Sequence, residues 1–246
     1  MSSLTRIICL ANSWKRGERC IAGINPRTRK WVRPTSNLPD GRVPKEMRQI
    51  NRREPALLDL LEIPLAATGE DFGFESENQD ILPGKWRKIS QVTPQEASQY
   101  CSKNPDILHN DRRYVTVDWL QSLPGEQRST LQLVKAVRFS ARAKGQRFAG
   151  SEKWEGDLVT DKGKRLTATI TDPIFTRRLE LGYRPEQPCL VTVSLSMPWR
   201  PDNWEGGDPC WKSIAAVMEL PEQDLRGHTV PEKSDRADAD LDDLPF

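Results

Sequence analysis

TRIICLANSWKRGERCIAGINPRTRKWVRP, residues 5–34, is the stretch whose reading decides the fold. Its first seven residues, 5–11, form a short apolar run rich in β-branched side chains, the pattern of a buried strand. Residues 12–19 break that run with Asn, Ser, Lys, Arg and Gly, and read as a turn-rich basic loop. CIAGI, 20–24, is a second strand. Asn25-Pro26-Arg27-Thr28 supplies a tight turn. KWVRP, 30–34, is a third strand in which aromatic and basic residues alternate. Three short strands joined by short turns make a β-meander, which is how small Greek-key barrels begin.

Outward from this stretch, residues 37–53 are polar and basic and read as a long loop, while PALLDLLEIP, 55–64, fits a short helix or a strand. Residues 66–90 look loop-like. Thr93 is placed as an N-cap, with Pro94 at the first helical position and Glu96 completing a capping box. That helix is expected to run to about residue 103, and a second one covers 117–122. Strand patterns return at 131–140, where Leu131, Leu133, Val137 and Phe139 alternate with polar residues. Residues 141–154 read as a basic loop or edge hairpin. Segments 157–159 and 165–171 form a hairpin around Asp161-Lys162-Gly163-Lys164. Asp172 caps a short helix that opens with Pro173. CLVTVSLSM, 189–197, and KSIAAVMEL, 212–220, close the set, and Trp199, Trp204 and Trp211 between them read as packing for a long loop. Beyond Leu220 apolar content collapses, and the chain reads as a disordered acidic tail.

Charge is distributed unevenly. The 246 residues carry a formal +2. Residues 219–246 hold nine acidic against three basic side chains, a net −6 that leaves +8 on residues 1–218. Residues 1–60 alone hold thirteen Lys/Arg against five Asp/Glu. A basic front and an acidic tail point to a polyanion partner ahead and a basic partner, or self-masking, behind. The five cysteines are scattered without CxxC or zinc spacing, and His109 and His228 stand alone. No metal or cofactor is expected. With no long apolar run at the N-terminus, the expectation is a cytoplasmic chain that does not engage a membrane.

Several stretches together resemble a bacterial family of dual OB-fold proteins linked to nucleic-acid modification or sensing. They are 8–13 (ICLANS), 19–23 (RCIAG), 30–34 (KWVRP), 54–59 (EPALLD), Thr171-Asp172-Pro173, Val193-Ser194-Leu195 and 212–217 (KSIAAV). The resemblance spans about 1–220 and implies a mainly β chain with two OB-like β-barrels. The expected division is a first barrel over 1–90, a helical connector over 91–130, a second barrel over 131–220 and a tail over 221–246.

Basic and aromatic residues on one face of such a barrel suit single strands: cations neutralise phosphates and rings stack on bases. In OB-folds strands 2–3 and the loops beside them bind oligonucleotides. The expected track is therefore Trp14, Lys15, Arg16 and Arg19 in the first loop, with Arg27, Arg29, Lys30, Trp31 and Arg33 on the second hairpin. Arg142, Lys144, Arg147 and Phe148 occupy a comparable loop of the second unit. Trp31 fits a core position equally well. Among enzyme signatures the Walker loop, GxSxG and HExxH are missing, and Asp172 is better explained as a helix cap than as a base, so no catalytic residue is assigned.

The last residues, LDDLPF, 241–246, resemble the acidic tip of bacterial single-stranded DNA-binding proteins. In that family the tip recruits genome-maintenance enzymes. The resemblance implies that Asp240, Asp242, Asp243, Leu244, Pro245 and Phe246 form a hook for DNA-processing partners, with capture of the terminal carboxylate as one element. The combined expectation is a single-stranded DNA- or RNA-binding protein with a recruitment peptide. Its rivals are a modification enzyme or modified-base sensor with Asp172, Ser194 and Arg33 converging between the barrels, and a pure protein adaptor.

Overall fold

In a computed structural model, residues 3–148, 151–185 and 188–221 are described. The chain is mainly β, a curled half-barrel sheet beside a five-stranded closed barrel. The half-barrel comprises β1 (Ser3–Lys15), β2 (Glu18–Ile24), β3 (Trp31–Thr35), β4 (Asp59–Leu65), β5 (Asn78–Asp80) and β6 (Arg87–Gln91), in the order β5-β3-β2-β1-β4-β6. After β7 (Tyr114–Thr116) the closed barrel comprises β8 (Leu131–Phe148), β9 (Ser151–Thr160), β10 (Arg165–Ile170), β11 (Cys189–Leu195) and β12 (Pro209–Glu219). Parallel pairing of β10 with β12, at Thr169↔Ser213 and Ile170↔Ile214, closes it. β7 adds to the free part of β12.

Both sheets follow one path. A three-strand meander leads to a short helix, α1 (Lys45–Arg48) in the first unit and α4 (Pro173–Glu180) in the second. A strand then returns antiparallel to the first of its unit, and a last strand runs parallel to the third. The units differ in closure. β11 and β12 pair over their whole shared length, whereas β4 and the end of β5 meet at the isolated bridge Leu65↔Ile81. Two further helices, α2 (Pro94–Ser98) and α3 (Val117–Ser122), lie between the sheets in sequence.

β1 explains the unbroken apolar run at 5–11. Successive strand residues point to opposite faces. Ile7 and Cys9 enter the half-barrel core with Ile21, Leu61 and Ile63. Ile8 and Leu10 face the other way and pack on Leu133, Leu190, Ala216 and Met218 of the closed barrel. A strand covered on both sides loses its polar alternation. Each aliphatic side chain buried in this seam contributes about 1.5–3 kcal/mol. Hydrogen bonds stitch the same seam: Thr192 Oγ1 donates to the Leu10 carbonyl (2.5 Å), and Trp14 N donates to the Thr171 carbonyl (2.8 Å). Close approach also fixes Gly23, where a Cβ would run into the Ile8 carbonyl.

Several local expectations change. Residues 12–19 are strand, not loop: β1 runs to Lys15 and β2 starts at Glu18. The hairpin between them is the two-residue turn Arg16-Gly17, with φ of 50° and 82°, the positive values a type I′ turn needs. Residues 66–90 contain β5 and β6, and 131–140 extends into the long strand β8, hairpinned to β9. The Thr93 capping box is present, with Glu96 N donating to Thr93 Oγ1 (3.1 Å) and Thr93 N to Glu96 Oε2 (2.7 Å). α2 stops at Ser98, short of 103, as the chain leaves to bond Ser102 N to the Leu133 carbonyl (2.8 Å). Asp172 caps α4 as read, accepting from Phe175 N at 3.0 Å. Among the described residues no helix is long and apolar enough to cross a membrane.

Candidate nucleic-acid interface

The first-unit residues do not form one track. Trp14 is 38% exposed, but the Arg19 guanidinium lies 4.6 Å over its ring. Lys15 Nζ donates to the Asp40 carbonyl at 2.5 Å, and Arg16 lies 3.8 Å from the Asp40 carboxylate. Arg27 and Lys30 are exposed on the turn before β3. Arg29 bonds the Gln99 carbonyl (2.6 Å) and covers the Tyr100 ring at 4.7 Å. Trp31 is half-buried and packs on the seam formed by Ala11, Ala22, Leu131 and Ala215.

Arg33 is a correction. It is 3% exposed, ion-paired to Glu75 and donating to Thr130 Oγ1 at 2.9 Å. A guanidinium with a buried carboxylate partner is out of reach of a phosphate. Glu77, also buried, accepts from Thr130 N at 2.6 Å, and burial pushes its carboxyl up. The physical reason is that the second unit and loop 75–77 cover β3, whose residues after Trp31 are all buried. The strand 2–3 face expected to bind is here an internal contact.

The matching face of the second unit is open. Along the outside of β8, β9 and β10 runs a trough of about 600 Å³ lined by Arg138, Ser140, Asp157, Val159, Arg165 and Thr167. Thr167, Asp157 and Ser140 are register neighbours across the three strands. The trough leads into a cation cluster. Arg142 bonds Asp157 (2.5 Å) and Glu155 (2.7 Å), and Glu155 also takes Arg113 (2.8 Å) and Lys144 (3.2 Å). Burial pushes the Glu155 carboxyl up, but hydrogen bonds from Lys144, Arg142 and Arg113 outweigh it and hold the group below the usual carboxylate range. With Arg138 and Arg165 the face has five cations against two carboxylates, so it stays positive. Arg142 and Lys144 of the expected set therefore lie on it. Arg147 and Phe148 continue β8, paired with Glu152 and Ser151.

Three aromatic rings cluster between β7 and the β11–β12 loop. Arg113 is followed by Tyr114 on β7, whose ring meets Trp204 at 4.9 Å and Trp211 at 5.4 Å. Trp204 and Trp211 meet each other edge-on at 5.4 Å. The β11–β12 loop is held from within: Trp211 Nε1 donates to the Trp199 carbonyl (2.9 Å), Trp204 Nε1 to the Gly207 carbonyl (3.0 Å), and Arg200 pairs with Asp208 (2.5 Å). Trp204 and Trp211 thus do pack the loop, as read. Trp199 does not; it stands 64% exposed on it. This loop joins the fourth and fifth strands of a five-stranded barrel, one of the two loops OB-folds use for oligonucleotides. The sequence reading missed Trp199, Arg113, Arg138 and Arg165. The available signal was the Trp-rich loop bracketed by two strand patterns; the arginines were scattered in sequence and are gathered only by strand register.

The three residues expected to converge between the barrels are engaged separately. Asp172 caps α4 and accepts from Val217 N (3.3 Å), and burial pushes its carboxyl up to about 6. Ser194 shares a hydrogen bond with Ser213 (2.9 Å), and Arg33 is tied to Glu75 and Thr130. Asp240, Asp242, Asp243, Leu244, Pro245 and Phe246 lie outside the described residues.

The family model of the dual OB-containing domain matches residues 5–217. Comparison with curated proteins and with solved structures gives no match.

Proposed function

The chain belongs to the dual OB-containing domain family, and from that premise we propose that it binds single-stranded nucleic acid, DNA before RNA, on the second unit. The observation that carries this reading is the open cationic trough and cluster outside β8, β9 and β10, with Arg138, Arg165, Arg113, Arg142 and Lys144, in a unit whose β11–β12 loop also exposes Trp199. Cations along such a groove take the backbone, and exposed rings stack bases with little sequence preference. Glu155 holds three cations in place on a buried carboxylate, so the phosphate contacts are pre-organised. The role is binding, with no catalytic step assigned. The acidic segment with Asp240, Asp242, Asp243, Leu244, Pro245 and Phe246 serves in this reading as a peptide that docks basic surfaces of DNA-processing partners.

Fluorescence anisotropy with labelled oligo-dT and oligo-rU tests the binding. Affinity should fall steeply with salt, and Arg138→Glu with Arg165→Glu should abolish it at moderate ionic strength. Salt-independent binding, or binding indifferent to both reversals, would reject the reading.

A further inference from the structure

A second concavity lies where the two units meet. It is a cleft of about 220 Å³ between β3, the segment after α2 and the start of β8. Its floor is aliphatic, from Ile24, Leu108, Leu131 and Leu133, all buried. Its walls include Trp31 and Tyr100, both half-buried. They bring an indole N–H and a phenolic hydroxyl to the cleft. His109 lines the cleft as well and bonds the Ser129 carbonyl through Nε2 at 2.6 Å. A carbonyl only accepts, so Nε2 carries the hydrogen and Nδ1 of the neutral ring is left as an acceptor. Burial lowers the His109 pKa, which keeps the ring neutral near pH 7. The Arg29 guanidinium sits at the rim over Tyr100.

An apolar floor, aromatic walls, an indole N–H, a ring-nitrogen acceptor and a hydroxyl together suit a planar heteroaromatic ring. The volume is below the roughly 300–1,000 Å³ of pockets that hold drug-sized ligands, which leaves room for one ring system and not for a run of nucleotides. The cleft also neighbours the track. Lys162, on the β9–β10 turn below Arg165 and Val159, donates to the carbonyls of Ser102 (2.7 Å) and Asn104 (3.2 Å) at the cleft rim.

We propose that this inter-unit cleft is a pocket for a single unstacked nucleobase. The proposal rests on the nucleic-acid reading above and adds a second, chemically distinct subsite: stacking and phosphate neutralisation on the outer face, edge recognition of one base in the cleft. A strand leaving the trough past Lys162 delivers that base.

Saturation-transfer NMR on the full chain with the four 2′-deoxynucleoside 5′-monophosphates tests it directly. Saturation should reach the base protons of at least one nucleotide more strongly than its sugar protons. Tyr100→Ala, which removes a wall, and Asn104→Trp, which fills the rim, should each reduce that signal at least fivefold. Thermal melting checks that both variants remain folded. Arg138→Glu with Arg165→Glu should abolish oligo-dT binding, and in that background Tyr100→Ala should still reduce the base-proton signal at least fivefold. Absence of transfer to all four nucleotides, or a signal surviving both cleft variants, overturns the pocket. Oligonucleotide binding that survives reversal of the trough arginines overturns the outer-face reading instead, so the two failures are told apart.

Discussion

In the first unit the residues of β3 after Trp31 are buried, and Arg33 among them is sealed against Glu75; in the second, Arg138, Arg142 and Arg165 on the corresponding meander lie open to solvent. The two meanders follow the same connectivity, so the backbone path does not decide which face is open. Contact with the rest of the chain does. Several cations of the densest basic run, in residues 1–60, are engaged within the first unit: Arg48 on Glu18 and Glu54, Arg6 on Glu62, Lys15 and Arg42 on Asp40. The helices differ in the same sense. α1 has four residues and no side-chain cap, whereas α4 has eight and is capped by the buried Asp172.

The sharpest way to break this comparison is Arg33→Ala. Removing one partner of a buried ion pair strands the other, and the loss should be about 3–5 kcal/mol of folding stability. Arg142→Ala, whose side chain is 58% exposed, should cost no more than about 1 kcal/mol. Urea unfolding measures both, and equal effects would undo the contrast between the units.

Asp172 gives the next largest effect. Burial lifts its carboxyl from the ordinary 3.8 to about 6, so between those values the folded chain binds more protons than the unfolded one. The stability it contributes is therefore complete below the ordinary value and is lost as pH rises through 6. Comparing wild type with Asp172→Asn at pH 4 and pH 7, the difference should move in favour of the Asn variant by about 1–3 kcal/mol on going to pH 7. A difference independent of pH would show that the cap is not strained by burial.

Binding effects follow. Trp199→Ala should lower oligo-dT affinity by about 1–3 kcal/mol, the worth of one stacked base, with stability changed by less than about 0.5 kcal/mol. Trp14→Ala should leave affinity unchanged; the reverse pattern would move the binding face to the first unit. The smallest effect is on the salt slope, where Arg138→Ala with Arg165→Ala should reduce its magnitude by roughly 1.4, about 0.7 per lost phosphate contact.

Local signals were legible where one residue type does one job. The Thr93 box, the Asp172 cap, the Asp161–Lys164 turn and the apolar run at 5–11 all carried through to the fold. Polar strands were not legible. Asn12, Ser13, Trp14 and Lys15 lack the apolar alternation of a strand facing one core, because this end of β1 is held by backbone pairing with β2 and Thr171. Arg33 reads as a surface cation because its carboxylate partner lies 42 positions away in sequence, at Glu75. For the candidate site, composition showed that cations and tryptophans were abundant, but register and burial sort them, and neither is local.

The doubly covered β1 has a consequence for how this molecule handles a ligand. With Ile7 and Cys9 committed to one side and Ile8 and Leu10 to the other, the halves are not beads on a string. Neither can be excised without stripping the other of its wall, and neither can swing to follow a flexible polymer. Bound to each other through that strand, the two halves should melt in a single cooperative transition.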